Sequence, residues 1–227
     1  MGVPRDDNAG HRARLRERLL GRGGDTLLDH ELVEYLLALA IPRRDTKPLA
    51  KELLREFGGI AGLLTADAQA IARVPGMGDT SVAAIKIAHA AALRLVRSEV
   101  AERPVLGNWQ ALLDYLRAAM AHQPVEHVRV LHLNSRNMLI RDELMSEGSI
   151  DEAAVYTREV IRRAIDFGSA AIILVHNHPS GDPSPSRADI EVTRAIADAG
   201  KRLGIAVHDH LIIGTEGHAS LRAMGLI

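Results

Sequence analysis

Apolar positions recur at helical spacing over roughly the first hundred residues and at strand spacing only beyond them, so periodicity alone divides the chain. Leu15, Leu19 and Leu20 mark one face of a first helix, and Asp29 caps a second that runs to Ala40. Pro48 opens a third, Gly58-Gly59 closes it, and Thr65 is expected to start a short fourth. Ile71-Ala72-Arg73-Val74-Pro75-Gly76-Met77-Gly78-Asp79-Thr80 then sets a Gly-x-Gly turn between two helical segments, the second reaching about Val96. Pro104 and Gly107 break the pattern, which predicts an all-helical domain over residues 1–103 and a second domain over 104–227.

In the second domain Asn108 caps an amphipathic helix through Met120, with Leu112, Leu113, Leu116 and Ala119 on its apolar face. Val128–Leu133 alternates as a strand, Asn134-Ser135-Arg136-Asn137 is a turn, and Met138–Ser146 returns as a hairpin partner. Thr157–Phe167 reads as a helix closed by Gly168. Ala170–Val175 is apolar without alternation, the mark of a strand buried on both faces. Ser186 caps a helix that runs to about Leu203, and Ile205–Ile213 is a further strand. The order strand, strand, helix, strand, helix, strand predicts an α/β domain of two or three layers around a mixed sheet.

The chemistry sits at the open end of the buried strand. His176 and His178 are two apart, so their imidazoles point to one side. Pro179, Gly181, Pro183 and Pro185 then turn the chain, and Asp189 falls in the first turn of the next helix, facing back. Two imidazoles and a carboxylate match a zinc site with three protein ligands and a fourth position left for water. Each half also has a plain structural reading, a chance pair of histidines and a capping box with Asp at its third place. The chain has no Cys, so any metal must be held by His, Asp or Glu.

Composition adds little to this. The net charge of -1 names no partner, although residues 1–103 are net basic and 104–227 net acidic. Arg12, Arg14, Arg16, Arg18 and Arg22, with Arg43, Arg44 and Lys47, would suit nucleic acid or equally a solvated helix face. No apolar run approaches the roughly 18 residues of a membrane helix, and Met1–Asp7 lacks the apolar core of a leader. A soluble, cytoplasmic protein with no membrane partner is expected.

The full arrangement, His176-x-His178, then Ser186 and Asp189, resembles the zinc motif of the JAMM (MPN-plus) metalloproteases. The wording around it, His176-Asn177-His178-Pro179-Ser180-Gly181 followed by Pro185-Ser186-x-x-Asp189, is similar to the RadC family of bacterial proteins. The similarity covers nearly the whole chain, from Gly10-His11-Arg12 through Ile41–Ala50 and Val74-Pro75-Gly76-Met77-Gly78 to Asp209-His210. Thr157-Arg158-Glu159 departs from the family's usual Pro-Arg-Glu, at a helix start where either Pro or Thr is acceptable.

That resemblance implies a JAMM/MPN-like mixed-sheet domain of cytidine-deaminase-like architecture behind a small helix-hairpin-helix domain. It implies one Zn2+ on His176, His178 and Asp189 and hydrolysis of an amide or isopeptide bond. The general base in such proteins is a Glu on an upstream strand, and Glu143, a few residues ahead of Gly148-Ser149, fits that place with Glu147 second. Ser186 would offer its hydroxyl to the oxyanion. The helix-hairpin-helix resemblance implies DNA as a partner, with phosphate on the Gly76 and Gly78 backbone and charge from Arg73 and Lys86. The alternative reading is a DNA-processing repair protein whose metal domain acts on nucleic acid or does no catalysis. His208-Asp209-His210 is expected to support the sheet or the metal ligands from behind.

Overall fold

The computed structural model describes residues 7–147 and 157–227. Residues 1–6, on which the leader reading rests, lie outside them. Two compact units form, Met1–Ala91 and Ala92–Ile227.

The first unit is helical: α1 Asp7–Arg22, α2 Asp29–Ala40, α3 Lys47–Glu56, α4 Ile60–Thr65, α5 Ala68–Ala72 and the first half of α6 Asp79–Ala101. Leu37, Leu53, Leu63, Ile71 and Ile85 form its core. Leu15 turns inward as expected, but Leu20 is exposed, so the inner face of α1 is narrower than its leucines suggest. Thr65 ends α4 instead of starting a helix, its hydroxyl donating to the Ala61 carbonyl at 2.7 Å. Asp67, two residues on, accepts from the Gln69 and Ala70 amides and caps α5.

By contacts the chain divides inside α6, between Ala91 and Ala92, ahead of the helix break expected at 103/104. The reason is packing: Val100 is buried in the core of the second unit and Val96 packs against it, while Val82 and Ile85 belong to the first. One continuous helical pattern thus supplies residues to two cores.

The second unit contains α7 Trp109–Met120, β1 His127–Leu133, β2 Leu139–Glu147, α8 Thr157–Asp166, β3 Ala171–Asn177, α9 Arg187–Arg202, β4 Ala206–Gly214 and β5 Gly217–Ser220. The sheet runs β2-β1-β3-β4-β5. β3 and β4 are parallel and joined by α9, and the other neighbours are antiparallel. Every residue of the central strand β3 is buried, as its unbroken apolar run requires. Leu131, Ile173 and Val175 face α7 through Leu112 and Leu116. Val130, Ile172 and Leu174 face α8 and α9 through Val160 and Ile196. The result is a three-layered α/β unit with a mixed sheet. No helix among the described residues is long and apolar enough to cross a membrane.

Candidate metal centre

The end of β3 is fixed from both sides before any side chain is considered. His176 and Asn177 pair with Ile212 and Ile213 of β4, and the His178 amide donates to the Ile213 carbonyl at 2.9 Å. The chain then turns, with the Gly181 amide on the His178 carbonyl at 3.0 Å, and enters α9 through a reciprocal cap. In that cap the Ser186 amide and hydroxyl donate to Asp189 Oδ2 at 2.8 and 2.7 Å, and the Asp189 amide donates back to Ser186 Oγ at 3.1 Å. Oδ2 is therefore occupied, and Oδ1 is left at 3.4 Å from His176 Nε2. His176 Nε2 lies 3.0 Å from His178 Nε2. One ligand atom from each of His176, His178 and Asp189 falls within 4.8 Å of the others, the grouping that sequence spacing predicts.

The hydrogen bonds behind these atoms assign their protons. The Asp182 carbonyl, 2.8 Å from His178 Nδ1, can only accept, so His178 carries a proton on Nδ1, and in its neutral form Nε2 is the lone pair. Thr193 Oγ1 touches both the Asp189 carbonyl and His210 Nδ1. Because the carbonyl accepts, the hydroxyl donates to it and accepts from His210 Nδ1–H. His210 Nε2 is then a lone pair and accepts from His176 Nδ1–H at 2.8 Å, which leaves His176 Nε2 bare as well. Burial, ahead of any neighbouring charge, pushes the His176 imidazole down to about 4 and that of His210 down to about 3. Burial opposes ionisation of Asp189, yet His176 and the Ser186 donors hold its carboxyl below the ordinary value.

With both imidazoles neutral, two lone pairs 3.0 Å apart and a carboxylate oxygen 3.4 Å from one of them repel each other, and either a proton on His178 Nε2 or a metal ion relieves that repulsion. Donors bound tetrahedrally to zinc at roughly 2.0–2.1 Å stand about 3.3 Å from one another. The donor set, with His176 Nε2 at 3.0 and 3.4 Å from its two neighbours, fits a divalent ion of that kind.

The carboxylate beside this group is Glu126. It precedes β1 by one residue, and since Val128 pairs with His176, alternation puts Glu126 on the same face as His176. Its Oε1 lies 3.9 Å from His176 Nε2, and the residue is buried. Burial, then the charge of Asp189, raises its carboxyl to about 7.

Glu143 does not reach the group. It pairs with Val130, which pairs with Leu174, so it stands two strands across and two residues along from His176. At roughly 4.8 Å per strand and 3.3 Å per residue that is about 12 Å between Cα atoms. Glu143 instead binds Arg163 of α8 and lies 3.4 Å from His132 Nε2. Glu147 faces His127, 3.5 Å from its Nε2, and the Gly148-Ser149 pair lies outside the described residues. The Ser186 hydroxyl, expected at an oxyanion, donates in this geometry to Asp189 Oδ2. Glu126 was missed because both β1 and β2 lie upstream, and chain order does not say which of them pairs with β3. The signal available was its alternation with Val128 and Val130.

A family model described as the RadC-like JAB domain matches residues 106–226, and another described as UPF0758 N-terminal matches residues 8–83. The chain belongs to the RadC family. The JAB match spans His176, His178, Asp189 and Glu126, and the N-terminal match spans the Val74–Gly78 turn of this RadC chain.

That turn connects α5 to α6, with Gly76 at φ 95°. The Arg44 guanidinium lies where a Cβ on Gly76 would go. The Gly78 amide, expected to meet a phosphate, donates to Ser81 Oγ at 2.9 Å. Lys86 is also engaged: its ammonium donates to the Leu64 and Ala66 carbonyls at 3.1 and 2.8 Å, closing the end of α4, and burial lowers its pKa. Arg73 is exposed and lines a groove with Glu52 and Glu56. Of the four residues expected at a phosphate, Gly76 and Arg73 keep that opportunity; Gly78 and Lys86 already bond to their own chain.

Proposed function

We propose that the second unit is a zinc-dependent hydrolase of the JAMM/MPN kind that cleaves an amide or isopeptide bond, with His176, His178 and Asp189 as ligands and Glu126 as general base. The observation that carries this reading is the convergence of two bare imidazole nitrogens and one bare carboxylate oxygen beside a buried carboxyl 3.9 Å away. A zinc ion bound there supplies a Lewis acid that lowers the pKa of a water and polarises a carbonyl. Glu126 takes the proton of the attacking water and returns it to the leaving amine. Ser186 holds Asp189 Oδ2 so that Oδ1 faces inward, and Thr193 and His210 fix the tautomer of His176. A phosphodiesterase working through two metals would gather further carboxylates. Among the described residues a single group of three ligands is found, which favours the amide reading.

The test is the zinc-loaded protein against peptide, isopeptide and duplex DNA substrates. Amine release from an amide or isopeptide, abolished by His178→Ala, is expected; cleavage of DNA with amides untouched would favour the DNA-processing alternative.

For the first unit we infer a helix-hairpin-helix role: weak contact with duplex phosphates at the Gly76 turn, without sequence preference. The positive φ of Gly76 and the exposed Arg73 support it. Binding of the full chain to duplex DNA should fall steeply as salt rises, and Gly76→Val should weaken it. No binding at low salt would contradict this role.

A further inference from the structure

The residue between the two histidines points the other way. Asn177 alternates with His176, so its side chain leaves the opposite face of β3, and it is fully buried. The ladder between β1 and β3 ends at the pair Val128 and His176. Where the next backbone rung would fall, the Asn177 amide takes its place. Oδ1 accepts from the His127 amide at 2.8 Å, and Nδ2 donates to the Val125 carbonyl at 3.1 Å. One carboxamide thus grips the main chain on both sides of Glu126. No other side chain of its size offers a donor and an acceptor at that separation in one plane.

We propose that Asn177 is the positioning residue for Glu126, holding that carboxylate 3.9 Å from His176 Nε2 through the Val125 and His127 backbone. The inference rests on Glu126 being the acid of the proposed site. It gives the middle position of His-x-His a task separate from metal ligation. Without the clamp, Glu126 would sit one residue past the end of a strand with neither neighbouring peptide group paired to β3. Its carboxylate would then no longer be held over the ligands, although the ligands themselves would stay in place through β4 and α9.

The experiment uses the full chain and metal alone. Zinc affinity is measured by competition with a chelator, and the visible spectrum is recorded on the cobalt-loaded protein, for wild type, Glu126→Gln, Asn177→Ser and the double variant. Ser has one oxygen and cannot span both peptide groups; Asn177→Leu, close in size, is the second choice if Asn177→Ser fails to fold. Removing a carboxylate next to a ligand should weaken zinc about 10-fold. Asn177→Ser should weaken it to the same extent and give the same altered cobalt spectrum as Glu126→Gln, and the double variant should add nothing further. Additive losses would overturn the proposal, as would a loss at Asn177 as large as that of His178→Ala, which would mean that Asn177 holds the ligand strand. An unchanged Asn177→Ser beside a changed Glu126→Gln would remove the clamp and leave the Glu126 assignment standing. An unchanged Glu126→Gln would mean that the carboxylate is not held over the ligands, and would overturn the clamp, while the turnover of that variant separately tests Glu126 as the base.

Discussion

A buried carboxyl must either hold its proton or be matched by positive charge, and the two glutamates flanking β1 illustrate the two outcomes. Glu143 has Arg163 against one oxygen, whereas among the described residues Glu126 has no Lys or Arg paired to it, and burial raises its carboxyl to about 7. Glu126→Gln should therefore keep stoichiometric zinc and lose turnover by about 10²-fold or more. Glu143→Gln should leave turnover intact and cost stability on the order of 1–3 kcal/mol, because Arg163 loses its partner beside buried His132. Zinc content, kcat and thermal unfolding of the two variants separate these roles; the opposite pattern would return the base to Glu143. In the first unit, Glu31 accepts both Arg18 bonds at 2.8 and 2.9 Å, and these, followed by the Leu28 amide, hold its carboxyl down to about 2. A folded value below the unfolded one stabilises the protein above about pH 4.5 and loses that effect as pH falls toward 2. Glu31→Gln should be less stable than wild type at pH 7 in denaturant titrations, with the gap closing near pH 2. A gap that persists there would mean packing, not charge, is lost. The grouping of His176, His178 and Asp189 was legible in sequence because strand alternation and a helix cap are both local rules. Glu126 was not, since its place depends on which strand lies beside β3.

Elements were legible where one core covers them. β3 and α9 fall within one or two residues of their expected bounds, because an apolar run and the Ser186 cap are strong local signals. Thr65 and Asp67 both have cap chemistry, and only packing of Leu63 decides that a helix ends at the first and begins after the second. β5, four residues long, is too short to show a period. The turn after β3 depends on a contact no local rule reveals: a Cβ on Gly214, at the end of β4, would collide with the Gly181 carbonyl. Gly181 itself has φ 94°. Gly214→Ala should thus push the turn that carries His178 and weaken zinc, together with a loss of stability, while Gly204→Ala, in open space, should affect stability alone through its φ of 74°. Chelator competition on the two variants checks this, and equal zinc affinities would show that the turn yields without disturbing the ligands.

For the whole molecule, α6 carries residues of both cores, Val82 and Ile85 in one and Val100 in the other, so contacts divide the chain at Ala91 while the helix breaks at Pro104 and Gly107 point to 103/104. The α/β class of the second unit and the helical character of the first were legible from periodicity, since each period is set by burial within its own unit. The order β2-β1-β3-β4-β5 was not, because strand neighbours are chosen by packing of α7 on one face and α8 and α9 on the other. In the proposed site this sheet end and the start of α9 bring His176, His178 and Asp189 around one ion, with Glu126 beside it but not bound. Anomalous diffraction at the zinc edge from zinc-soaked crystals tests it directly. The expected result is one peak per chain, about 2.0–2.1 Å from His176 Nε2, His178 Nε2 and Asp189 Oδ1, with Glu126 outside bonding distance. No peak at that point, or a peak ligated by Glu126 or His210 in place of one of the three, would contradict the account.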